Sequence, residues 1–436
     1  MKLLATGGKI FTGRLGQAVL NAAIGFVLAD RLAPEGLGYY SLTIAVILLV
    51  AAVLNGGIGL AAVPALRRAA VTLGRMLKAQ ATWISVTAGL ILVAILLGTR
   101  SGLADLATSR LGWNGLTTVA GGVAIISVLT FEILYYDLLA VGRLVVGPVV
   151  NCGRAALHLL LLLAMLLFTN LDLTAAVIAF AVAQLAAASC VVTLIERHRQ
   201  GDETATDPAG TSNRAVPIVP LIGKTIRRGW HGQISAVASL LNLRLNLALL
   251  STFCDATSVG IYAFAAMVGE LLWHLPGALS PVLVYSSAAP DDVPQSDALA
   301  ARAVRVALIV TLVVAVPLAL AIGPVLRILF DGQYVASATP LRCLLPGIVA
   351  FAPGAVLAGD FIGRGRPIWN AQASILTVTL SLGGGLFLIP RFEVLGAAVA
   401  ASLAYGFGAA FMVARFRSVT GFSFREILVP TWRDFH

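Results

Sequence analysis

The chain has 436 residues, of which 59% are apolar and only 11% are charged. An ordinary soluble domain has about 25% charged residues, so this composition excludes a soluble globular protein. It also excludes a disordered chain, because disordered segments are poor in apolar residues. The formal net charge of +10 is typical of a membrane protein whose cytoplasmic loops are rich in Lys and Arg. We therefore predict a protein that crosses a membrane several times.

Runs of about 20 mostly apolar residues predict membrane-spanning helices, and twelve such runs follow one another along the chain. The first six are 10–32, 38–62, 79–98, 115–139, 145–168 and 174–195. The second six are 229–253, 259–286, 303–323, 338–361, 368–389 and 395–416. Strands of a membrane barrel are only about ten residues long and alternate in polarity, which these runs do not. The sequence predicts an all-α polytopic fold with about twelve spans.

Lys and Arg are distributed unequally between the two sides of this topology. Twenty of the 30 lie in loops and tails on the side of the N-terminus. Five lie on the opposite side, namely Arg31, Arg100, Arg110, Arg327 and Arg391. Because the more positive side faces the cytoplasm, we predict that both termini are cytoplasmic.

One long polar stretch, 196–228, separates the two sets of spans. Its centre, 201–214 (GDETATDPAGTSNR), has a composition that cannot bury a core. We therefore predict four regions. They are an N-terminal six-helix lobe over 1–195, a cytoplasmic linker over 196–228, a C-terminal six-helix lobe over 229–416 and a cytoplasmic tail over 417–436.

Short motifs recur in the same order in the two halves. The pattern GxxGQ opens the first span at 13–17 and the seventh at 229–233. The second and eighth spans begin GYYS and GIYA, and a Gly-Arg pair follows both the fourth and the tenth span. Since six spans is an even number, both halves have the same orientation. This pattern predicts parallel repeats, which in transporters place the substrate path between the halves.

Polar side chains inside the apolar spans are the candidates for function. An Arg at the centre of a membrane helix costs about 2.5–3.5 kcal/mol, so such residues usually face a cavity or a partner. Their spacing places several of them on shared helix faces. The predicted substrate-binding residues are Arg14, Gln17 and Asn21 of the first span, Arg154 of the fifth (on one face with Asn151 and His158), and Gln233 and Arg244 of the seventh.

Structural roles compete with this interpretation. Arg14 lies near the cytoplasmic end of its span, from which its side chain can extend to the interface. Arg154 can belong to a structural hydrogen-bond cluster with His158. Arg244 can form a purely structural ion pair with Glu132 or Glu270.

Three acidic residues within the spans, Glu132, Asp137 and Glu270, are candidates for coupling ion movement to transport. The alternative is that each pairs with an Arg or lies at a helix interface. We find no metal-binding, phosphate-loop or catalytic motif. The sequence therefore predicts no metal, no cofactor and no enzymatic activity.

Several segments resemble the polysaccharide-export flippases of the multidrug/oligosaccharidyl-lipid/polysaccharide (MOP) superfamily, the Wzx type. They are the GxxGQ opening, LAPEGLGYYS at 32–41, LRLN at 243–246 followed by VGIYAFA at 259–265, and ILFDGQY at 328–334 followed by LR at 341–342. The resemblance runs along nearly the whole chain. Asn246 stands where family members often have Asp, and lipid II flippases of the superfamily usually have 14 spans rather than 12.

This resemblance implies a bacterial inner-membrane flippase that moves a polyprenyl-diphosphate-linked oligosaccharide to the outer leaflet by alternating access. The cargo would serve O-antigen, capsule or exopolysaccharide synthesis. The implied partners are the lipid-linked oligosaccharide, membrane lipids, a polysaccharide polymerase and its chain-length machinery, and nucleic acid is not among them. Two alternatives stay open, a multidrug or cation antiporter of the same fold and a membrane-embedded polysaccharide polymerase or ligase.

The predicted topology is testable by cysteine accessibility in intact cells, in a background whose native cysteines are replaced by serine. A Cys at Ser212, in the predicted cytoplasmic linker, should resist a membrane-impermeant reagent. A Cys at Ser101, in a predicted outer loop, should react and serves as the control. Labelling at position 212 from outside would contradict the orientation.

Overall fold

The computed structural model describes residues 2–67, 71–98, 111–143, 145–168, 171–203, 217–277, 279–288 and 293–430. All of the regular secondary structure within these ranges is helical. The first seven helices are α1 (Lys2–Asn55), α2 (Ile58–Arg67), α3 (Leu73–Gly98), α4 (Gly115–Ala140), α5 (Val146–Phe168), α6 (Leu173–Glu203) and α7 (Ile218–Phe253). They are followed by α8 (Ala256–Leu271), α9 (His274–Gly277), α10 (Ser280–Ser287), α11 (Val293–Leu329), a 3₁₀ turn (Val335–Ser337), α12 (Ala338–Gly363), α13 (Ile368–Thr420) and α14 (Phe424–Leu428).

Nine helices of the described ranges are long and apolar enough to cross a membrane. One of them, α13, contains two of the twelve predicted spans, and α1 contains the first predicted span and most of the second, whose end lies on α2. The predicted eighth span is divided among α8, α9 and α10. Many large apolar side chains are exposed at helix surfaces, such as Leu97, Phe168 and Leu320, which are 61%, 84% and 74% exposed. Such extensive apolar surface needs a nonpolar environment, and the predicted all-α polytopic fold is confirmed.

The two longest helices are each broken at a single residue. In α1 the break is at Ala33 (φ 53, ψ 176), and in α13 it is at Glu393 (φ 49, ψ −124). Pro34 explains the first break, because a residue before proline avoids the α conformation and proline donates no backbone hydrogen bond. Within α1 and within α13, consecutive predicted spans are therefore joined by a sharp kink, where the sequence predicted a short loop.

Helical structure also extends into the predicted linker and tail. Helix α6 continues to Glu203 and α7 begins at Ile218. After Gly421 (φ 75) ends α13, a capping box of Ser423 and Glu426 starts α14. Hydrogen bonds from Ser423 lower the pKa of the Glu426 carboxyl, and Ile427 is fully buried. The boundaries of the four predicted regions stay a prediction.

By its internal contacts the chain forms two packed units. The first comprises Met1–Ile24 and Leu42–Val237, and the second comprises Gly25–Ser41 and Ala238–His436. In the first unit, a core forms where α4 packs against α6, with Leu138 and Val191 fully buried. In the second unit, α10 to α14 enclose a core around Phe361 and Phe416, both of which are fully buried.

Within the second unit, the kinked segment of α1 is held tightly against α8 and the turn before α12. Gly38 lies so close to α8 that a Cβ atom there would overlap the carbonyl of Ala256, and a Cβ atom on Gly260 would overlap the carbonyl of Pro34. Beside this crossing, the hydroxyl of Tyr334 donates to the carbonyl of Ala29 at 3.1 Å. The backbones can approach this closely because neither glycine has a side chain.

This crossing predicts a position-specific sensitivity to a single methyl group. We expect Gly260→Ala to lower stability by about 1–3 kcal/mol, because the added carbon would force the two backbones apart. Gly406 is the matched control in the same unit, since a Cβ atom there meets no atom within 4 Å. Thermal unfolding of the purified variants measures both effects. Equal melting temperatures for Gly260→Ala and wild type would contradict the close crossing.

Candidate functional site

Arg244 of α7 lies beside Glu270 of α8 within the second unit. Their closest charged atoms, Arg244 Nη1 and Glu270 Oε1, are 3.8 Å apart. That distance is an ion pair but exceeds the range of a normal hydrogen bond. The two side chains are 30% and 25% exposed, and Arg244 Nε has no hydrogen-bond partner among the described residues. Arg244 is thus held by a long ion pair, and its Nε is a buried donor without a partner among the described residues.

Polar and aromatic side chains lie on the neighbouring helices of the same unit. Ser381 of α13 donates to the Asn246 amide oxygen at 3.2 Å, and both residues are almost fully buried. The rings of Trp273, Phe351 and Tyr405 form a cluster with centroids 5.2–6.0 Å apart. Asn246 therefore joins α7 to α13. This is a structural role for the residue that stands where members of the resembling family often have Asp.

The candidates in the first span fall on α1. Gln17 is half-buried and Asn21 is exposed, so the Asn21 side chain is accessible. The Arg14 side chain lies outside the described residues, and the prediction for it stays open.

Arg154 of α5 forms a local contact. Its Nε atom donates to Asn151 Oδ1, one turn earlier on the same helix, at 3.3 Å. His158 is buried and lies edge-on to Phe180, with centroids 5.7 Å apart. The helical spacing places the three residues on one face of α5, where His158 is buried and Asn151 and Arg154 are half-buried. A substrate-binding role for Arg154 stays a prediction.

Gln233 of α7 donates its amide nitrogen to the backbone carbonyl of Ala52. Both residues belong to the first unit, where Gly229 lies in close contact with Gly57. Gly57 lies in the turn between α1 and α2 and has φ +81, a conformation suited to glycine. The Gln233 amide therefore donates to the backbone where the two chain segments cross, and its role in substrate binding stays a prediction.

The three acidic candidates have different partners. Glu270 forms an ion pair with Arg244, one of the two pairings that the sequence left open. Glu132 is half-buried and accepts a hydrogen bond from Asn55 at 3.3 Å. Asp137 is fully buried and accepts one from Gln80 at 3.1 Å. An ion-coupling role stays a prediction for all three.

A second charged network in the second unit was not foreseen from the sequence. Arg364 bonds Asp297 through Nη2 and Asp360 through Nε, each at 2.6 Å. Ser287 also donates to Asp360. The i, i+4 spacing of Asp360 and Arg364 was the available signal, but Asp297 is distant in sequence. This tight pair contrasts with the loose contact of Arg244.

Metal chemistry finds no support in the described residues. No group of three or more His, Cys, Asp or Glu side chains within these ranges could hold a metal ion.

Solved structures of membrane transporters cover nearly the whole chain. The lipid II flippase MurJ in an inward closed conformation matches 96% of this chain and 88% of its own, with a TM-score of 0.76 and 12% identity. An inward-facing multidrug resistance MATE family transporter of the MOP superfamily matches 93% and 96%, with a TM-score of 0.62 and 16% identity. A MOP superfamily transporter from Pyrococcus furiosus matches 96% and 95%, with a TM-score of 0.57 and 14% identity.

The chain has the fold of the MOP superfamily transporters. Identities of 12–16% establish the MOP fold alone. No family model matches the sequence, and no curated protein matches it. The resemblance to the polysaccharide-export branch thus stays a prediction, whereas a multi-pass membrane protein with the MOP fold is established.

The geometry of the two ion pairs predicts unequal energetic coupling. For Arg244 and Glu270, a double-mutant cycle with alanine should give about 0–1 kcal/mol, because the contact is long and partly exposed. For Arg364 and Asp297, whose side chains are each 12% exposed and 2.6 Å apart, the same cycle should give about 2–3 kcal/mol, the upper part of the range for residues in contact. Thermal unfolding of the variants tests the contrast. Stronger coupling at Arg244 than at Arg364 would contradict the loose pairing.

Proposed function

We propose that the chain is a flippase for a polyprenyl-diphosphate-linked oligosaccharide. It moves this lipid from the cytoplasmic to the periplasmic leaflet of a bacterial inner membrane by alternating access. The observation that carries the proposal is Arg244, a loosely paired arginine within a membrane-spanning helix. A fold shared with a lipid II flippase supports it.

The chemistry of a diphosphate explains why an arginine is required. A diphosphate is an anion that cannot enter hydrocarbon without a partner. The planar guanidinium of Arg244 offers paired donors that match two phosphate oxygens. Because Glu270 Oε1 is 3.8 Å from Arg244 Nη1, a phosphate oxygen can replace this weak contact with a stronger hydrogen bond. Glu270 thus keeps the arginine neutralised until substrate arrives.

The remaining candidates supply contacts for the rest of the cargo. Amide groups such as those of Gln17 and Asn21 donate to and accept from sugar hydroxyls. Arg14, Arg154 and Gln233 complete the proposed set of substrate-binding residues.

The proposed flippase acts in the inner membrane of a bacterium. Both termini are cytoplasmic, as the distribution of Lys and Arg favours. The flipped lipid passes to a polysaccharide polymerase and its chain-length machinery on the periplasmic side.

A multidrug or cation antiporter is the second candidate, because a multidrug resistance transporter shares the fold. Glu270 is the acidic residue that such a cargo would contact. The adjacent guanidinium cancels its charge, so Glu270 does not offer a cation an unpaired carboxylate. Export of cationic dyes by purified protein in vesicles, without flipping of lipid-linked glycan, would decide for the antiporter.

Export of surface polysaccharide in a complemented deletion strain tests the role of Arg244. We expect Arg244→Ala to abolish export, since hydrogen bonds to charged groups contribute about 1.5–3 kcal/mol each. Arg244→Lys should keep partial export, because a point charge attracts phosphate without the planar fork.

Arg391→Ala is the matched control, an arginine of the same unit that is exposed and stacks on Phe387. It should leave export unchanged. Protein abundance is measured in parallel for every variant. Normal export by Arg244→Ala at normal abundance would remove Arg244 from the site.

A further inference from the structure

A buried carboxyl group in the first unit lacks the partners that a negative charge needs. Asp137 of α4 and Gln80 of α3 are both 0% exposed. Gln80 Nε2 donates to Asp137 Oδ1 at 3.1 Å. The other oxygen of each side chain, Asp137 Oδ2 and Gln80 Oε1, is buried without a hydrogen-bond partner in the described part of the chain.

Charged groups on the elements packed against α4 do not neutralise Asp137. In the first unit, the described charged and titratable side chains of these elements and of α4 itself are Arg67, Arg75, Lys78, Glu132, Tyr135, Tyr136, Arg143, Cys152, Arg154, His158, Cys190, Glu196, Arg197, His198, Lys224, Arg227 and Arg228. Within the described ranges, none of them forms an ion pair or a hydrogen bond with the Asp137 carboxyl. A buried carboxylate without a cation is strongly disfavoured.

One proton resolves both unpartnered oxygens. A proton on Asp137 Oδ2 removes the negative charge and converts that oxygen into a donor. Gln80 already donates to Asp137 through Nε2. Its Oε1 is an acceptor without a donor among the described residues, and the protonated Oδ2 of Asp137 can supply that donor. A carboxylic acid and a primary amide can then form two antiparallel hydrogen bonds. A metal cation fits less well, because two oxygens are far fewer than the six or more that hard cations take.

We propose that Asp137 and Gln80 form a proton-binding site, with Asp137 neutral in the conformation described. The site is independent of the diphosphate-binding role of Arg244, which lies in the other unit. It also distinguishes Asp137 from the other acidic candidates. Glu270 has Arg244 as a counter-ion, and Glu132 is only half-buried.

Infrared spectroscopy of the full-length protein in lipid nanodiscs tests the site directly. At neutral pH, the wild type should show the carbonyl band of a protonated carboxylic acid, shifted in heavy water. Asp137→Asn should lack this band, while the matched variants Glu132→Gln and Glu270→Gln should retain it. Asn suits the site because its amide nitrogen supplies the donor that the proton supplies in Asp137. Persistence of the whole band in Asp137→Asn would overturn the proposal.

Thermal unfolding against pH provides a second measurement that does not depend on transport. A folded state that holds a proton released on unfolding loses stability as pH rises. The melting temperature of the wild type should therefore fall with rising pH by more than that of Asp137→Asn. Equal pH dependence in the two proteins would overturn the proposal. So would stabilisation of the wild type by sodium over choline at constant pH that is lost in Asp137→Asn, because this result indicates a cation site.

Discussion

A charge in a membrane-spanning helix requires a partner, and in the second unit the partner of Arg244 is held only by a long contact. Placing an arginine at the centre of a membrane helix costs about 2.5–3.5 kcal/mol. Among the described residues, Arg244 meets this requirement with one long ion pair, to Glu270. The contact limits the cost of burial without a normal hydrogen bond between the two side chains. In the proposed function, an anionic ligand replaces this weak contact.

The rest of the second unit positions this pair. Asn246, two residues after Arg244 on α7, is bonded to Ser381 of α13, which fixes the helix that carries the arginine. Glu270 lies near the end of α8, whose other end is in contact with the kinked segment of α1 at Gly38 and Gly260. The division of the predicted eighth span into α8, α9 and α10 begins directly after Glu270. Arg244 and Glu270 are thus carried by separately fixed helices.

Sequence patterns were sufficient for the fold class and for most spans, because runs of apolar residues directly reflect the thickness of a bilayer. They were not sufficient for the breaks. Pro34 marks the first kink, but nothing in the pattern distinguishes a one-residue kink at Ala33 from a short loop.

The side-chain partners were predicted only in part. The sequence left Glu132 and Glu270 as possible partners of Arg244, and the choice between them depends on which helices pack together. The amide partners Gln80 and Asn55 were missed, since amides in apolar spans give no signal of what they face. Likewise, the contact between Gln233 and the Ala52 carbonyl depends on a close crossing that only the three-dimensional packing shows.

Binding of a short-chain polyprenyl diphosphate to the purified protein tests whether Arg244 holds the diphosphate. Farnesyl diphosphate is titrated into wild type, Arg244→Ala and Arg391→Ala in the same nanodiscs. We predict that Arg244→Ala binds at least about tenfold more weakly than wild type, equivalent to about 1.4 kcal/mol, while Arg391→Ala binds as wild type does. Equal affinity of Arg244→Ala and wild type would contradict the account.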